Sequence, residues 1–351
     1  MQQAHIQFSV VNGTGLICLD RPDALNALTT DMVTSLRDHI LAWRDDGTIG
    51  HIIIKASSPR AFSAGGDVRQ AYAHIKAQDK DALAHFFRSE YLAALSVYEC
   101  GKPVIALADG LVMGGGAGLT QCCSHVVMSE ATRFAMPEGA IGLFPDAGAS
   151  IFLGRCPRAV ALYLGFTGRM IGSADCLMLG LAHSVTRSDD MSALTEALLF
   201  CGPDQIDDVL TRFQHDLGNA QLSGIRPLLE QIFAGDNIAV MLERAADLAL
   251  LRPGTIAEDV HKALQKNCPM TMNVFLRLVE MSDDLGGIPE ALELDFRLAL
   301  GMAWRADFAE GVRAVLIDKS NDAAWQPSTA ENVTTEMVDT LFQQSDLPPL
   351  R

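Results

Sequence analysis

The chain has 351 residues, of which 49% are hydrophobic and 20% charged, so it can bury a large core and is not an intrinsically disordered protein. Its formal net charge is −16, and a surface this acidic repels nucleic-acid phosphates and anionic lipids. We therefore expect neither nucleic acid nor a membrane as a partner, and a phosphorylated ligand would need a locally basic pocket.

The sequence lacks the patterns of secretion, membrane insertion and metal binding. The eight cysteines are scattered without a CxxC pair, and the nine histidines form no HxxxH or HExxH motif. These features predict free thiols in a reducing compartment and no metal site. No apolar run reaches the roughly 18 residues of a membrane helix, and Met1 to Val10 carry no basic segment like that of a signal peptide. We therefore expect a cytoplasmic protein.

The first 190 residues alternate between strand-like and helical segments. Apolar residues recur at threes and fours in Thr30–Arg44 and Lys80–Tyr98, which predicts two amphipathic helices. Short apolar runs bounded by turn residues predict strands at Ile6–Val10, Gly15–Asp20, His51–Lys55, Pro103–Ala108 and His125–Ser129. Strands that alternate with helices predict an α/β fold with much parallel pairing.

Beyond residue 190 the predicted elements are mostly helical. The predicted helices are Met191–Phe200, Ile206–Leu217, Pro227–Ala234, Ile238–Leu251, Thr255–Lys266, Met270–Ser282 and Pro289–Trp304. The strand predicted in this half is Ala314–Ile317. We therefore divide the chain into an α/β domain of residues 1–190 that carries the site, a helical region of residues 191–325 packed on it, and a polar tail of residues 326–351.

Two glycine-rich segments each follow a predicted strand and precede a predicted helix. The first, from Ala61 to Asp67, reads AFSAGGD, and the second, from Gly110 to Gly118, reads GLVMGGGAG. Glycine lets a backbone approach a ligand closely, and free amides at a helix start favour a negative oxygen. Two such amides from different loops would form an oxyanion hole, whereas the alternative is two ordinary tight turns. Neither GxGxxG nor GxxxxGK[ST] occurs, so no nucleotide-binding motif is present.

A third segment places two carboxylates in apolar surroundings. Residues 134–148 read FAMPEGAIGLFPDAG, in which Glu138 and Asp146 are the acids. Desolvation disfavours the charged form of a carboxyl group and moves it toward the range in which a general base works near neutral pH. Both residues are therefore candidate catalytic groups. The alternative is that each is a solvated loop acid or a helix N-cap.

Four segments together resemble the crotonase superfamily of enoyl-CoA hydratases and isomerases. They read AFSAGGDV, MGGGAGL, FAMPEGAIGLFPDAG and EGVRAVLIDK. Within the superfamily the chain is most similar to the 3-hydroxyisobutyryl-CoA hydrolases. The resemblance implies a crotonase-like spiral of repeated ββα turns with an extended helical C-terminal region. It also implies an acyl-CoA substrate whose thioester carbonyl faces the amides of Gly66 and Gly115.

The resemblance also separates two activities. Glu138 aligns with the second of the two glutamates that a hydratase uses, and the first would fall at Gly118. Adding water across a double bond needs both carboxylates, whereas thioester hydrolysis needs one base or nucleophile and an oxyanion hole. The hydrolase pattern further expects acids at Glu90 and Asp146 and a glycine at Gly115, and this sequence has all three.

The implied reaction is hydrolysis of a short branched β-hydroxyacyl-CoA, above all 3-hydroxyisobutyryl-CoA, an intermediate of valine breakdown. Glu138 and Asp146 would be catalytic, Gly66 and Gly115 would form the oxyanion hole, and Glu90 would contact the substrate with Gly115, Glu138 and Asp146. No cofactor is implied, because CoA is part of the substrate, and a homo-oligomer is compatible with the family. The alternatives are an enoyl-CoA hydratase or isomerase for other short acyl-CoAs and a non-catalytic acyl-CoA-binding protein.

Overall fold

The computed structural model describes residues 5–216, 218–343 and 347–351. Contacts divide the chain into two compact units: the first is Met1–Asp67, Ser89–Phe134 and Ile171–Ala220, and the second is Val68–Arg88, Ala135–Met170 and Gln221–Arg351. The predicted domains follow changes of composition along the chain, whereas these units follow contacts in space. Two segments from the first 190 residues, 68–88 and 135–170, therefore belong to the second unit.

The strands form two sheets. Their bounds are β1 (Ile6–Val11), β2 (Thr14–Leu19), β3 (His51–Ala56), β4 (Ala61–Ser63), β5 (Val104–Ala108), β6 (Leu111–Met113), β7 (His125–Ser129), β8 (Arg133–Ala135), β9 (Ile171–Gly172) and β10 (Ser184–Thr186). The larger sheet has the order β1-β2-β3-β5-β7-β10, and the smaller one has the order β4-β6-β8-β9. β1 and β2 are antiparallel, and the rest of the larger sheet is parallel. All five strands predicted in the first half are confirmed.

The helices account for most of the remaining chain. Their bounds are α1 (Thr30–Asp45), α2 (Val68–Lys76), α3 (Lys80–Tyr98), α4 (Gly115–Gln121), α5 (Ala149–Phe152), α6 (Arg158–Thr167), α7 (Ser173–Met178), α8 (Met191–Leu199), α9 (Ile206–Phe213), α10 (Leu222–Ile232), α11 (Ile238–Leu251), α12 (Ile256–Lys266), α13 (Pro269–Glu280), α14 (Ile288–Ala303), α15 (Ala306–Val312) and α16 (Thr335–Phe342). Among the described residues, no helix combines the length and apolar character needed to cross a membrane.

In the first unit, helix α1 shows how the sequence produces both an element and its packing. The Thr29 side chain accepts a hydrogen bond from the Met32 N–H and caps the helix start. Apolar residues at threes and fours then form one buried face that ends at Trp43. A Cβ added to Gly15 of β2 would lie 2.5 Å from Trp43 Cε3, so glycine makes room for the indole.

The second unit is helical. α6 packs against α10, α12 and α13, and the Phe275 ring of α13 fills the space beside Gly165 of α6. α14 packs against α5, α15 and α16. Within the segment predicted as a polar tail, α16 buries Val338 and Leu341.

Three predicted elements differ from the structure. The helix predicted at Pro227–Ala234 begins earlier, at Leu222, and ends at Ile232. Ala314–Ile317, predicted as a strand, is wrong, because Arg313–Ile317 continues α15 as a π-helical turn. A run of four apolar residues does not distinguish strand from helix, and the ion pairs from Arg313 to Glu310 and Asp318 favour the turn. The predicted helix Ile206–Leu217 ends at Phe213, and Leu217 itself lies outside the described residues.

Candidate active site

The first glycine segment forms a loop between β4 and α2, in the first unit. The Leu28 N–H donates to the Gly65 carbonyl at 2.8 Å, and the Asp67 N–H donates to the Leu28 carbonyl at 2.8 Å. These bonds fix the loop on both sides of Gly66. Gly65 has φ +91°, and a Cβ there would lie 3.0 Å from the carbonyl oxygen of Met113, so only glycine fits without strain.

The second glycine segment forms the turn between β6 and α4. Gly114 has φ +52°, a left-handed value, and Gly115 is the first residue of α4, so its N–H has no acceptor within the helix. A Cβ on Gly116 would lie 2.6 Å from Ser63 Cβ, and one on Gly115 would lie 3.5 Å from the Gly66 nitrogen. The two loops therefore meet backbone to backbone, which places the two predicted oxyanion-hole glycines side by side.

The carboxylate of Glu90 lies directly against these two glycines. A Cβ on Gly66 would lie 2.5 Å from Glu90 Oε2, and a Cβ on Gly115 would overlap Glu90 Oε1. Glu90 is half-buried and lies on α3. The structure therefore brings together three residues that the sequence predicted for one site, and it leaves no room for a side chain at either glycine while Glu90 keeps its position.

Arg21 supports the first loop and was not predicted. Its guanidinium pairs with Asp67 at 2.8 Å and donates to the Ala27 carbonyl at 3.0 Å. Asp67 is the residue before α2, as the sequence predicted. Its partner is 46 residues away in the chain, so no local pattern could have indicated this pair.

Glu138 and Asp146 lie in the second unit and are both buried, each with 6% of its surface exposed. The alternative of a solvated loop acid is therefore wrong for both. Glu138 begins a short 3-10 turn, and its carbonyl accepts the Leu143 N–H at 3.1 Å. The carbonyl of Gly139 accepts the Cys268 N–H at 2.9 Å, which ties the turn to the start of α13.

Two helices support the turn that carries Glu138. Thr271 of α13 donates its hydroxyl to the Leu143 carbonyl at 2.5 Å. On the side of α15, a Cβ on Gly142 would lie 2.6 Å from a backbone oxygen, and a Cβ on Gly311 would lie 2.5 Å from the Ile141 carbonyl carbon. This packing explains how the EGVRAVLIDK segment, far along the chain, takes part in positioning the predicted base.

A second turn carries Asp146. Ala147 and Gly148 have φ values of +53° and +86°, so two successive residues are left-handed. The Gly148 N–H donates to Asp295 Oδ2 at 2.8 Å, and Asp295 is fully buried on α14. Asp295 cannot be recognised from the sequence, because an acid within a predicted helix is ordinarily a solvated residue.

The described residues contain no group of three or more histidine, cysteine or acidic side chains arranged to hold a metal ion. All eight cysteines are free thiols. Burial raises the pKa of Cys122 to about 12 and that of Cys268 to about 11. These thiols are therefore poor nucleophiles and fill space in the core.

A family model described as enoyl-CoA hydratase/isomerase matches residues 14–342. The chain is 34% identical over 336 residues to the mitochondrial 3-hydroxyisobutyryl-CoA hydrolase of Xenopus laevis, covering 93% of this chain and 86% of that protein. It is 33% identical over 339 residues to the Homo sapiens protein of the same name, covering 94% and 86%.

Two solved structures superpose on nearly the whole chain. A carnitinyl-CoA dehydratase from Mycobacterium thermoresistibile is 28% identical with a TM-score of 0.92, covering 99% of both chains. An enoyl-CoA hydratase from Rhodobacter sphaeroides is 31% identical with a TM-score of 0.90, covering 99% of this chain and 100% of that one. These similarities confirm the predicted α/β fold with its extended helical C-terminal region.

Proposed function

Because the chain belongs to the enoyl-CoA hydratase/isomerase family, we propose that it hydrolyses 3-hydroxyisobutyryl-CoA to 3-hydroxyisobutyrate and free CoA. The observation that carries the proposal is a buried Glu138 in a chain that has Gly118 at the position where the resemblance to the family implies the other glutamate of a hydratase. Gly118 is buried inside α4 and supplies no carboxylate. The similarity to two 3-hydroxyisobutyryl-CoA hydrolases over more than nine-tenths of the chain supports the same substrate.

In this proposal the amides of Gly66 and Gly115 donate to the thioester oxygen as it becomes negative. The close approach of the two loops supports this role, because both glycines must lack a Cβ for the loops and Glu90 to coexist. Removing one donor of this kind typically lowers kcat by about 10²–10³.

Glu138 acts either as the base that removes a proton from water or as the nucleophile that forms an anhydride. In the base route water attacks the thioester carbon as it loses a proton to Glu138, and the carbon–sulfur bond breaks. In the nucleophilic route a Glu138 oxygen attacks the thioester carbon, the carbon–sulfur bond breaks, and water then cleaves the anhydride at the Glu138 carbonyl carbon. In both routes the CoA sulfur leaves and takes a proton. Burial of Glu138 supports either role, since it keeps the carboxylate out of bulk water. Multiple turnovers in ¹⁸O-labelled water separate the routes, because only the nucleophilic route places label in the Glu138 side chain.

Glu90 and Asp146 orient the attacking water or the β-hydroxyl of the substrate. Glu90 supports this role through its position against the glycine pair. If its carboxylate accepts a hydrogen bond from the β-hydroxyl, an acyl group without that hydroxyl loses this hydrogen bond. Such a loss is of the order of 1–3 kcal/mol. Isobutyryl-CoA should therefore be a substrate at least about tenfold poorer than its 3-hydroxy counterpart.

Thiol release from a panel of acyl-CoAs, run beside a crotonyl-CoA hydration assay, tests the proposed function. We expect the highest kcat/KM with 3-hydroxyisobutyryl-CoA. Faster hydration of crotonyl-CoA than release of any thiol would instead support the hydratase or isomerase alternative. Tight binding of acyl-CoA without any turnover would support a non-catalytic acyl-CoA-binding protein.

We also propose that the reaction needs no metal or redox cofactor, because one carboxylate and two amides are enough for thioester hydrolysis. Dialysis against EDTA should leave the rate unchanged, and a loss that one metal restores would contradict this. The eight free thiols support a reducing compartment, and the cytoplasm, a place in valine breakdown and a homo-oligomer stay predictions. Cell fractionation, growth on valine and analytical ultracentrifugation would test them.

A further inference from the structure

We propose that Asp295 is a positioning residue that holds the Asp146–Gly148 turn and thereby sets the direction of the Asp146 side chain. The inference rests on the proposed function, since it assumes that Asp146 acts on the substrate. It concerns Asp295 on α14, a residue that the proposed function does not use, and its effect on the turn can be tested without any substrate.

The geometry begins with a single hydrogen bond to the turn. The Gly148 N–H donates to Asp295 Oδ2 at 2.8 Å. Gly148 is also the N-cap of α5, and its carbonyl accepts the Ile151 N–H at 2.9 Å. The carbonyl of Asp146 accepts the Ala149 N–H at 3.0 Å. The bond to Asp295 therefore ties this turn to α14, whereas the two backbone bonds just described lie within the loop and α5.

This turn has a reason to need an external anchor. Ala147 has φ +53° and Gly148 has φ +86°, and a non-glycine residue in the left-handed region is strained. Such a conformation persists only where the surrounding structure holds it. α14 is a suitable anchor, because it is a helix of 16 residues whose side chains are largely buried.

The protonation state of Asp295 fits this role. Burial raises the pKa of Asp295 well above its ordinary value, the Gly148 N–H opposes this, and the negative charge of Asp146 adds to it. Asp295 is 0% exposed, and its Oδ1 has no hydrogen-bond partner among the described residues. A charged carboxylate would be costly in such surroundings.

A neutral acceptor can be imitated by asparagine but not by leucine. Asp295→Asn keeps a side-chain carbonyl oxygen for the Gly148 N–H, whereas Asp295→Leu keeps the approximate volume and removes the acceptor. We expect Asp295→Asn to retain kcat within about threefold of the parent. We expect Asp295→Leu to lower kcat by roughly 100-fold with little change in KM, because a misplaced catalytic group slows the chemical step more than it weakens substrate binding.

Hydrogen exchange provides a readout that needs no turnover. The peptide covering residues 144–152 should exchange faster in Asp295→Leu than in the parent and in Asp295→Asn. The matched control is Leu264→Ala, which removes a buried side chain from α12 in the same unit. This control should lower stability without a selective increase in exchange at residues 144–152.

Three results would overturn the inference: unchanged kcat in Asp295→Leu, equal loss of kcat in both variants, or unchanged exchange of the 144–152 peptide. Equal loss would mean that a charge, not a neutral acceptor, is required. If Asp295→Leu does not fold, Asp295→Ala carries the same expectations. If the parent protein releases no thiol, the proposed function fails, while the exchange comparison still tests the role of Asp295 in holding the turn.

Discussion

The contact between Glu90 and Gly115 predicts an energetic coupling that a double-mutant cycle can measure. A Cβ on Gly115 would overlap Glu90 Oε1 and lie 2.8 Å from Glu90 Cδ, whereas the next nearest atom, the Gly66 nitrogen, is at an ordinary 3.5 Å. Gly115→Ala should therefore force the Glu90 side chain to move. Because a carboxylate is the far end of a flexible side chain, we expect a loss of stability of about 1 kcal/mol, the low end for overpacking.

The effect of Gly115→Ala on stability should change sign once the Glu90 side chain is shortened. In a Glu90→Ala background the new methyl group meets no close atom, and alanine stabilises a helix by about 1 kcal/mol relative to glycine. Gly115 is the first residue of α4, so Gly115→Ala should then be neutral or stabilising. The coupling between the two substitutions is expected to be about 2 kcal/mol, within the range found for residues in contact.

Urea unfolding of the four proteins measures this coupling. The matched control is Gly47→Ala, since a Cβ on Gly47 meets nothing within 4 Å. Its effect should add to that of Glu90→Ala within about 0.5 kcal/mol. If the effects of Gly115→Ala and Glu90→Ala on the free energy of unfolding also add within about 0.5 kcal/mol, then Glu90 does not occupy the position against the glycine pair, and its proposed role is wrong.

Three further predictions concern stability and reactivity. Burial lowers the pKa of His51 below its ordinary 6.5, so at this group the folded chain binds fewer protons than the unfolded chain. The free energy of unfolding should therefore fall as the pH drops below about 6.5. Urea titrations at several pH values should show a smaller fall for His51→Gln. In the folded protein, DTNB should react with at most the half-buried Cys18 and Cys201, and with all eight cysteines after unfolding; rapid native reaction of more than two thiols would contradict the burial described. Gly142→Ala should lower the free energy of unfolding by about 3 kcal/mol, because Gly142 has φ +72° and an added Cβ would meet a backbone oxygen at 2.6 Å. The control Gly180→Ala, with φ +73° and nothing within 4 Å of the added Cβ, should lose only about 1 kcal/mol. Equal losses would show that the contact with the backbone oxygen is unimportant.

Local sequence patterns were sufficient for most elements that position the site. The helix containing Glu90 was predicted at Lys80–Tyr98, and α3 has those bounds. A strand followed by consecutive glycines predicted the turn into α4, which begins at Gly115. These predictions succeeded because helix periodicity and glycine turns depend on residues close together in the chain.

The sequence did not reveal the partners that hold the site loops. Asp295 and Gly148 are 147 residues apart, and Arg21 and Asp67 are 46 residues apart. In a sequence, a buried acidic residue of a helix cannot be distinguished from a solvated one. Only tertiary packing therefore identifies Asp295. The π-helical turn at Arg313–Ile317 was missed because a run of four apolar residues does not distinguish a strand from a helix.

The most direct test of the central claim is the rate of thiol release from 3-hydroxyisobutyryl-CoA by Glu138→Gln. Glutamine has nearly the same shape as glutamate but cannot act as a base or a carboxylate nucleophile. We predict that kcat falls by about 10²–10⁴ while the free energy of unfolding changes little. A variant that retains thiol release within about threefold of the parent would contradict the assignment of Glu138 as the catalytic carboxylate.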